Sequence, residues 1–335
     1  MHRIISIAAA RGCSALAPAV LALLSLAGCA SLPTFVPDMS RRAPSTVQLA
    51  GARGPLTAAQ SKAVLDRLRA GNAQTDIFDR HLALEQEIAG TPLVAGNQVR
   101  LLKDGPATYD AMFAAIAAAK DHVNMETYIF ESDEIGQRFA DALLAKQRQG
   151  VQVNLIYDSV GTLGAKKEFF EQLAAGGVRL LEFNPINPLN VRRDWQFNNR
   201  DHRKLLVVDG EVAFLGGINI SSVYSGGSGS RGSASRARAQ AATAAAEPGK
   251  VPWRDTDLEI RGPVVAEFQK LFLDTWARQK NETLTDRAYF PPPKSAGRQI
   301  VRALGSAPDD PYSAIYVTLL SALSSAETSI QVTNA

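Results

Sequence analysis

His202 and Lys204 stand two residues apart in the run Asp201-His202-Arg203-Lys204-Leu205-Leu206-Val207-Val208-Asp209. On a strand starting near His202, that spacing puts both side chains on one face. The pair suits a core badly, because burying an ammonium without a partner is costly. It suits a phosphate, with the imidazole as nucleophile or acid and the ammonium as countercharge. Asn219 reaches the same neighbourhood after Gly216-Gly217, a turn that lets backbone approach closely, and its amide can donate to a nonbridging oxygen. His2, His81 and His122 have no lysine two residues on, so His202 is the histidine with chemistry around it. No cluster of metal ligands is visible, and no cofactor is expected.

The elements that must position these residues follow an alternating rhythm. Strands are expected at Val99–Leu102, His122–Phe130, Val151–Tyr157 and Val178–Phe183. Helices are expected between them at Tyr109–Lys120, Ile135–Gln149 and Lys166–Ala175, with Gly150 and Gly176-Gly177 as stops. Lys204–Val208 and Val212–Leu215 read as a hairpin around Asp209-Gly210. Thr256–Ile260 reads as a strand and Val264–Arg278 as an amphipathic helix. Such alternation predicts an α/β fold, a mixed sheet flanked by helices.

A repeat extends the pattern. Ile300-Val301-Arg302-Ala303-Leu304, Tyr312 with its apolar helix, and Ser329–Asn334 echo Val99-Arg100-Leu101-Leu102, Tyr109 with its helix, and Val123–Thr127. The expected organisation is two tandem repeats, the first complete over 99–290 and the second only begun over 299–335. Between Tyr224 and Val251 no large apolar residue occurs, so 225–250 reads as a disordered insert whose Arg231, Arg236 and Arg238 are solvated. Residues 57–98 form a helical extension, with a helix around Ala58–Leu68.

The N-terminus carries Arg3 and Arg11 before an apolar run, Ala15–Ala27, too short to span a bilayer comfortably. Residues 1–28 are expected to be a signal peptide. Leu26-Ala27-Gly28-Cys29 resembles a bacterial lipobox, which implies acylation of Cys29 and a proline-bearing tether over 29–56. Ala30 and Ser31 resemble the sorting positions of lipoproteins held at the outer membrane facing the periplasm. The formal charge of +3 falls to near +1 without Arg3 and Arg11, so bulk charge selects no partner. The cysteines are Cys13 and Cys29, which leaves no thiol pair in the body of the chain and excludes an internal disulfide or Cys-based metal site.

The spacing His-x-Lys-x4-Asp-x6-Gly-Gly-x-Asn, carried by His202, Lys204, Asp209, Gly216, Gly217 and Asn219, resembles the phospholipase D superfamily. The run Arg200–Gly210 resembles its bacterial cardiolipin synthase branch, and Glu126–Phe130, Tyr157–Gly161 and Trp253–Leu258 agree. The resemblance implies that His202 carries a covalent phosphohistidine and that Lys204 and Asn219 neutralise phosphoryl charge. Asp255, with Asp257 second, would orient the histidine, and Asp209 would be the acid of the motif, more a structural acid than a participant in proton transfer. Gly216, Gly217, Ser221, Glu126 and Arg200 would line the substrate.

The family's reaction needs two such motifs, and here one is present. The resemblance therefore implies a missing second catalytic half or a second chain, and truncation before a second motif is the expectation. The implied activity is phosphatidyl transfer or hydrolysis on membrane phospholipids, with the anchor holding the site at the membrane surface. Two alternatives stay open: a dimeric phosphodiesterase acting on nucleic acid, for which Arg192, Arg193, Trp195, Arg200 and Arg203 would form a track, and an inactive lipoprotein. The anchor favours lipid over nucleic acid.

Overall fold

The computed structural model describes residues 47–71, 90–186, 196–226, 252–280, 282–308, 310, 313–324, 326 and 328–332. The expected signal peptide, Cys29, most of the insert, and Arg192, Arg193 and Trp195 lie outside the described residues. So do His81, Tyr312 and the last two residues of the expected final strand.

The chain builds a mixed ten-stranded sheet. In chain order the elements are β1 (Leu49–Gly51), β2 (Gly54–Pro55), α1 (Ala58–Gly71), β3 (Leu93–Leu102), α2 (Gly105–Ala118), β4 (His122–Thr127), α3 (Glu134–Arg148), β5 (Gln152–Asp158), α4 (Lys167–Ala175), β6 (Arg179–Phe183), β7 (Leu205–Val208), β8 (Val212–Gly216), β9 (Asp257–Arg261), α5 (Val265–Lys280), β10 (Gln299–Val301) and α6 (Ala314–Ser324). The strand order is β2-β1-β3-β9-β8-β7-β4-β5-β6, with β10 also paired to β3. β4, β5 and β6 run parallel, as their helical crossovers require. β7, β8 and β9 alternate in direction. The β7–β8 hairpin turns on Asp209 and Gly210, whose positive φ values of 52° and 65° are those of a tight primed turn.

Two of the helices that cover the sheet start where a side chain replaces a lost backbone partner. The Asp104 carboxylate accepts from Ala107 N at 3.0 Å and opens α2. Asp133 accepts from Gly136 N at 2.9 Å and opens α3. Helices α2, α3 and α4 cover one sheet face, packing Tyr109, Met112, Ile116, Phe139, Leu143 and Phe169 against Val123, Met125, Val153 and Leu155. Helix α5 covers the other with Phe268, Phe272 and Trp276. On β4 this division is sharp. Val123, Met125 and Thr127 alternate with His122, Asn124 and Glu126, and all six are buried. The polar set is satisfied in part laterally: Asn154 Nδ2 donates to Asn124 Oδ1 at 2.7 Å and approaches Tyr289 OH at 3.4 Å.

Several expectations need correction. Residues 49–55, read as tether, form β1 and β2, because Leu49 is buried in a small core with Leu65 and Leu93. β3 begins at Leu93 rather than Val99. β4 stops at Thr127, beyond which only Phe130 bridges to Ile220. β7 begins at Leu205, so His202 precedes the strand. β10 adds to β3 of the same sheet, and the described residues 328–332 form no strand. Among the described residues, no helix is long and apolar enough to cross a membrane.

Candidate active site

His202 lies in the irregular segment 201–204 that leads into β7, with its side chain exposed. The segment is held on both sides by buried acids. Asp158 Oδ2 accepts from Asp201 N at 2.9 Å, and Asp201 Oδ1 accepts from Arg203 N at 3.1 Å. The Arg203 guanidinium turns to the α5 face, 3.1 Å from Glu126 Oε1 and 2.9 Å from Thr275 Oγ1. Burial and the neighbouring Asp201 push the Glu126 carboxyl well above the usual carboxylate range, against the pull of Arg203. Arg203 thus clamps the residue between His202 and Lys204 to the sheet.

Fixed in this way, His202 and Lys204 converge on Tyr128. The Tyr128 and His202 rings lie 4.6 Å apart, tilted by 52°, and Lys204 Nζ stands 5.2 Å from the Tyr128 ring centre. Lys204 is buried and donates to the carbonyl of His202 at 2.7 Å. Burial pulls its ammonium pKa down to about 8, with Asp201, Asp255, Asp257 and Asp158 opposing the shift. Burial and the Lys204 charge also lower the His202 pKa. A neutral imidazole beside a charged, half-desolvated ammonium is the state a nucleophile for an anionic phosphodiester requires.

Asn219 arrives from the other side. Its Oδ1 accepts from Ile129 N at 3.0 Å, the residue after Tyr128, and its Nδ2 donates to Tyr224 OH at 3.0 Å. A second N–H on Nδ2 remains for a ligand. Tyr109 OH fixes this stretch by donating to the carbonyls of Asn219 and Ser221, at 2.6 and 2.9 Å. Gly216 is required sterically, because a Cβ there would collide with Thr256 O and the Asp257 backbone, whereas one on Gly217 would meet only the Asp255 carboxyl. Asp257 Oδ1 accepts from Ile218 N at 3.1 Å, and burial raises its pKa to about 7.

Not every expected residue is brought here. Asp209 sits at the far end of β7, where its carboxylate accepts from the backbone N–H groups of Lys120, Asp121 and His122 at 2.8–2.9 Å. It is a splice between hairpin and β4, not part of this constellation. Neither Asp255 nor Asp257 is hydrogen-bonded to His202 among the described residues, and the acids whose charge His202 feels are Asp201 and Asp158. Ser221 Oγ donates to Asp133 Oδ2 at 3.2 Å and accepts from Val223 N at 3.4 Å, capping a short turn. Glu126 faces α5. Arg200 Nη1 donates to Ser159 Oγ at 2.9 Å and Asn184 O at 3.2 Å, while its Nε and Nη2 are buried without a protein partner. Sequence reasoning missed Tyr128 as a site residue and Asp158 and Asp201 as anchors. Their segments stood out as agreeing stretches, but nothing local marked which side chain faces the histidine. Among the described residues no group of His, Cys, Asp or Glu is placed to hold a metal ion.

The family model described as "Cardiolipin synthase, PLD-like domain" matches residues 112–224. Cardiolipin synthase of Geobacillus kaustophilus is 33% identical over 253 residues, covering 75% of this chain and 46% of the relative. Cardiolipin synthase A of Pseudomonas putida is 36% identical over 250 residues, covering 72% of this chain and 46% of the relative. The chain therefore spans about half the length of the curated relatives it matches. Among solved structures, the phospholipase D family member Nuc from Salmonella typhimurium aligns at 17% identity and a TM-score of 0.37, covering 55% of this chain and 95% of that one.

Proposed function

The chain belongs to the phospholipase D superfamily, in its cardiolipin synthase-like branch, and from that premise we propose that it supplies a phosphohistidine-forming half-site for phosphatidyl transfer on glycerophospholipids. The observation that carries this reading is the convergence of His202 and the half-desolvated Lys204 on Tyr128. In the first step an imidazole nitrogen of His202 attacks phosphorus, the P–N bond forms and the P–O bond to the leaving alcohol breaks. Lys204 and the free N–H of Asn219 take the charge growing on the nonbridging oxygens. In the second step an acceptor hydroxyl, from another lipid alcohol or water, attacks phosphorus and releases the histidine. The leaving alkoxide needs a proton, and the acceptor must lose one. A second histidine performs both transfers, contributed by sequence of the kind the longer relatives have or by a second copy of this chain.

The same proposal includes an anchored location in the bacterial cell envelope. It rests on the run Leu26-Ala27-Gly28-Cys29, with acylation of Cys29 keeping the site at the surface where its substrate lies. The test is phosphatidyl transfer and hydrolysis of labelled phosphatidylglycerol by the chain, alone and supplied with the C-terminal half of a relative. His202→Ala serves as the reference. Turnover that disappears in the variant, together with a trapped phosphorylated histidine in the parent, supports the reading. Absence of turnover in both arrangements from a folded chain would overturn it.

A further inference from the structure

The direction of the strands decides which loops surround His202. Because β4, β5, β6 and β8 run one way and β7 and β9 the other, the chain leaves the first four and enters the last two at a single end of the sheet. β3 ends there too, with Leu102 opposite Asp257. Between residues 90 and 280, the exposed large apolar side chains among the described residues are Leu101, Leu163, Ile186, Phe197, Val223 and Trp253. All six belong to this end. They are tied to the site through short links. Trp253 N donates to Val223 O at 2.9 Å, and the Trp253 ring meets the ring of Tyr224, the partner of Asn219. Phe197 lies under the Arg200 guanidinium. Leu163 follows Gly161, where a Cβ would collide with Tyr128 O.

Exposed cations are interleaved with this rim: Lys103 after Leu101, Lys166 and Lys167 after Leu163, and Arg254 beside Trp253. Trp253, Phe197 and Leu163 are 59%, 60% and 64% exposed, so most of each apolar side chain stays in contact with water. Large apolar tips alternating with Lys and Arg are suited to a bilayer whose headgroups are anionic. The tips enter the boundary between headgroups and acyl chains, and the cations meet phosphates. The cations among the tips favour an anionic lipid surface over a protein partner, because the core of a protein interface is depleted of charge.

We propose that these loops form a docking rim by which the chain sits, site downward, on an anionic phospholipid bilayer, independently of any lipid anchor. The inference deepens the phosphatidyl-transfer reading by naming the surface on which the site works, and it rests on that reading. The test uses the full chain and vesicles of phosphatidylglycerol and phosphatidylethanolamine with brominated acyl chains, which quench tryptophan at the depth of the bromine. Subtracting the signal of Trp253→Phe isolates Trp253. The expected result is loss of most Trp253 emission on vesicle addition, and recovery of that emission in the double variant Leu163→Gln, Phe197→Gln. At the opposite end of the sheet Phe290 is as exposed, so Phe290→Trp in the Trp253→Phe background should stay unquenched.

Quenching at position 290 as strong as at 253, no quenching of Trp253, or quenching indifferent to the double variant would each overturn the rim. So would a Trp253 emission that shifts with protein concentration and ignores lipid, which would assign these loops to a second copy of the chain. The readout needs no turnover. A quenched Trp253 in a chain that never transfers phosphatidyl groups would sink the function and leave the rim standing, and an active chain with unquenched Trp253 would do the reverse.

Discussion

At the scale of single residues, two titrations bracket the proposed chemistry. His202 must be neutral to attack, and burial together with Lys204 holds its pKa below the ordinary histidine value, so activity rises with pH on the acidic side of that value. Lys204 must be charged, and its pKa is pulled down to about 8, so activity falls as pH passes through that region. The expected kcat/KM profile is a bell whose alkaline limb belongs to Lys204. Lys204→Arg, whose guanidinium does not titrate in this range, should lower the maximum by about tenfold or more while removing the limb near pH 8. A limb unchanged in that variant would transfer it to another group. The pair itself was legible in the sequence, because its chemistry needs only a spacing of two. Tyr128 was not, since the strand that delivers it lies far back in the chain. The choice of Asp255 or Asp257 as histidine partner was not legible either: both lie close to the two glycines, and neither bonds the ring.

At the scale of elements, the Asp209 turn shows a motif acid placed as a structural tie. Its carboxylate ties the β7–β8 hairpin to the start of β4 through three backbone donors, and its backbone is left-handed at φ 52°. Asp209→Ala removes the acceptor and adds strain to a residue with no side-chain compensation. The expected loss is about 2–3 kcal/mol in a urea melt, with Asn retaining roughly half by keeping one acceptor and tolerating the conformation. Equal losses for the two variants would place the effect elsewhere. Helices and inner strands were readable from hydrophobic rhythm and glycine stops, to within a few residues. β1 and β2 were not, because a three-residue strand pinned by the single buried Leu49 carries no periodicity, and the prolines around it imitate a tether. A strand starting near His202 was expected because alternation continues through the segment, whereas β7 begins at Leu205. Hydrogen bonds to Asp158 and Asp201, invisible locally, take segment 201–204 out of the ladder.

At the scale of the whole molecule, the site is held at the expense of stability. Asp257 is buried with its pKa raised to about 7 from an ordinary value of 3.8, and Glu126 is shifted in the same direction. A raised acid favours the folded state below its unfolded pKa, and that contribution disappears as pH climbs through the folded one. Stability should therefore decline from about pH 4 to about pH 7 and then level off. Asp257→Asn, which keeps an oxygen for Ile218 N, should flatten that slope and be more stable than the parent at pH 8 by on the order of 1–2 kcal/mol in denaturant titrations. A slope identical to the parent's would sink the assignment. The α/β class and the helices on both faces were evident from the sequence, since they follow from buried strands joined by helical crossovers. That the repeat's opening strand would join the first sheet was not evident, because repetition in sequence does not say which edge a strand will find.

That last pairing has a mechanical side. β10 is laddered onto β3 at Asn97, Ala95 and Val94, Thr91 Oγ1 donates to Ala303 O at 2.7 Å, and Ala303 is sealed in the α5-side core. The polypeptide cannot swivel at this crossing without tearing backbone hydrogen bonds and unseating a core residue, so amides of β10 should exchange as slowly as those of the central strands. A hinge is therefore not expected at this crossing. Among the described residues, β3, β10 and Ala303 thus form one stiff seam.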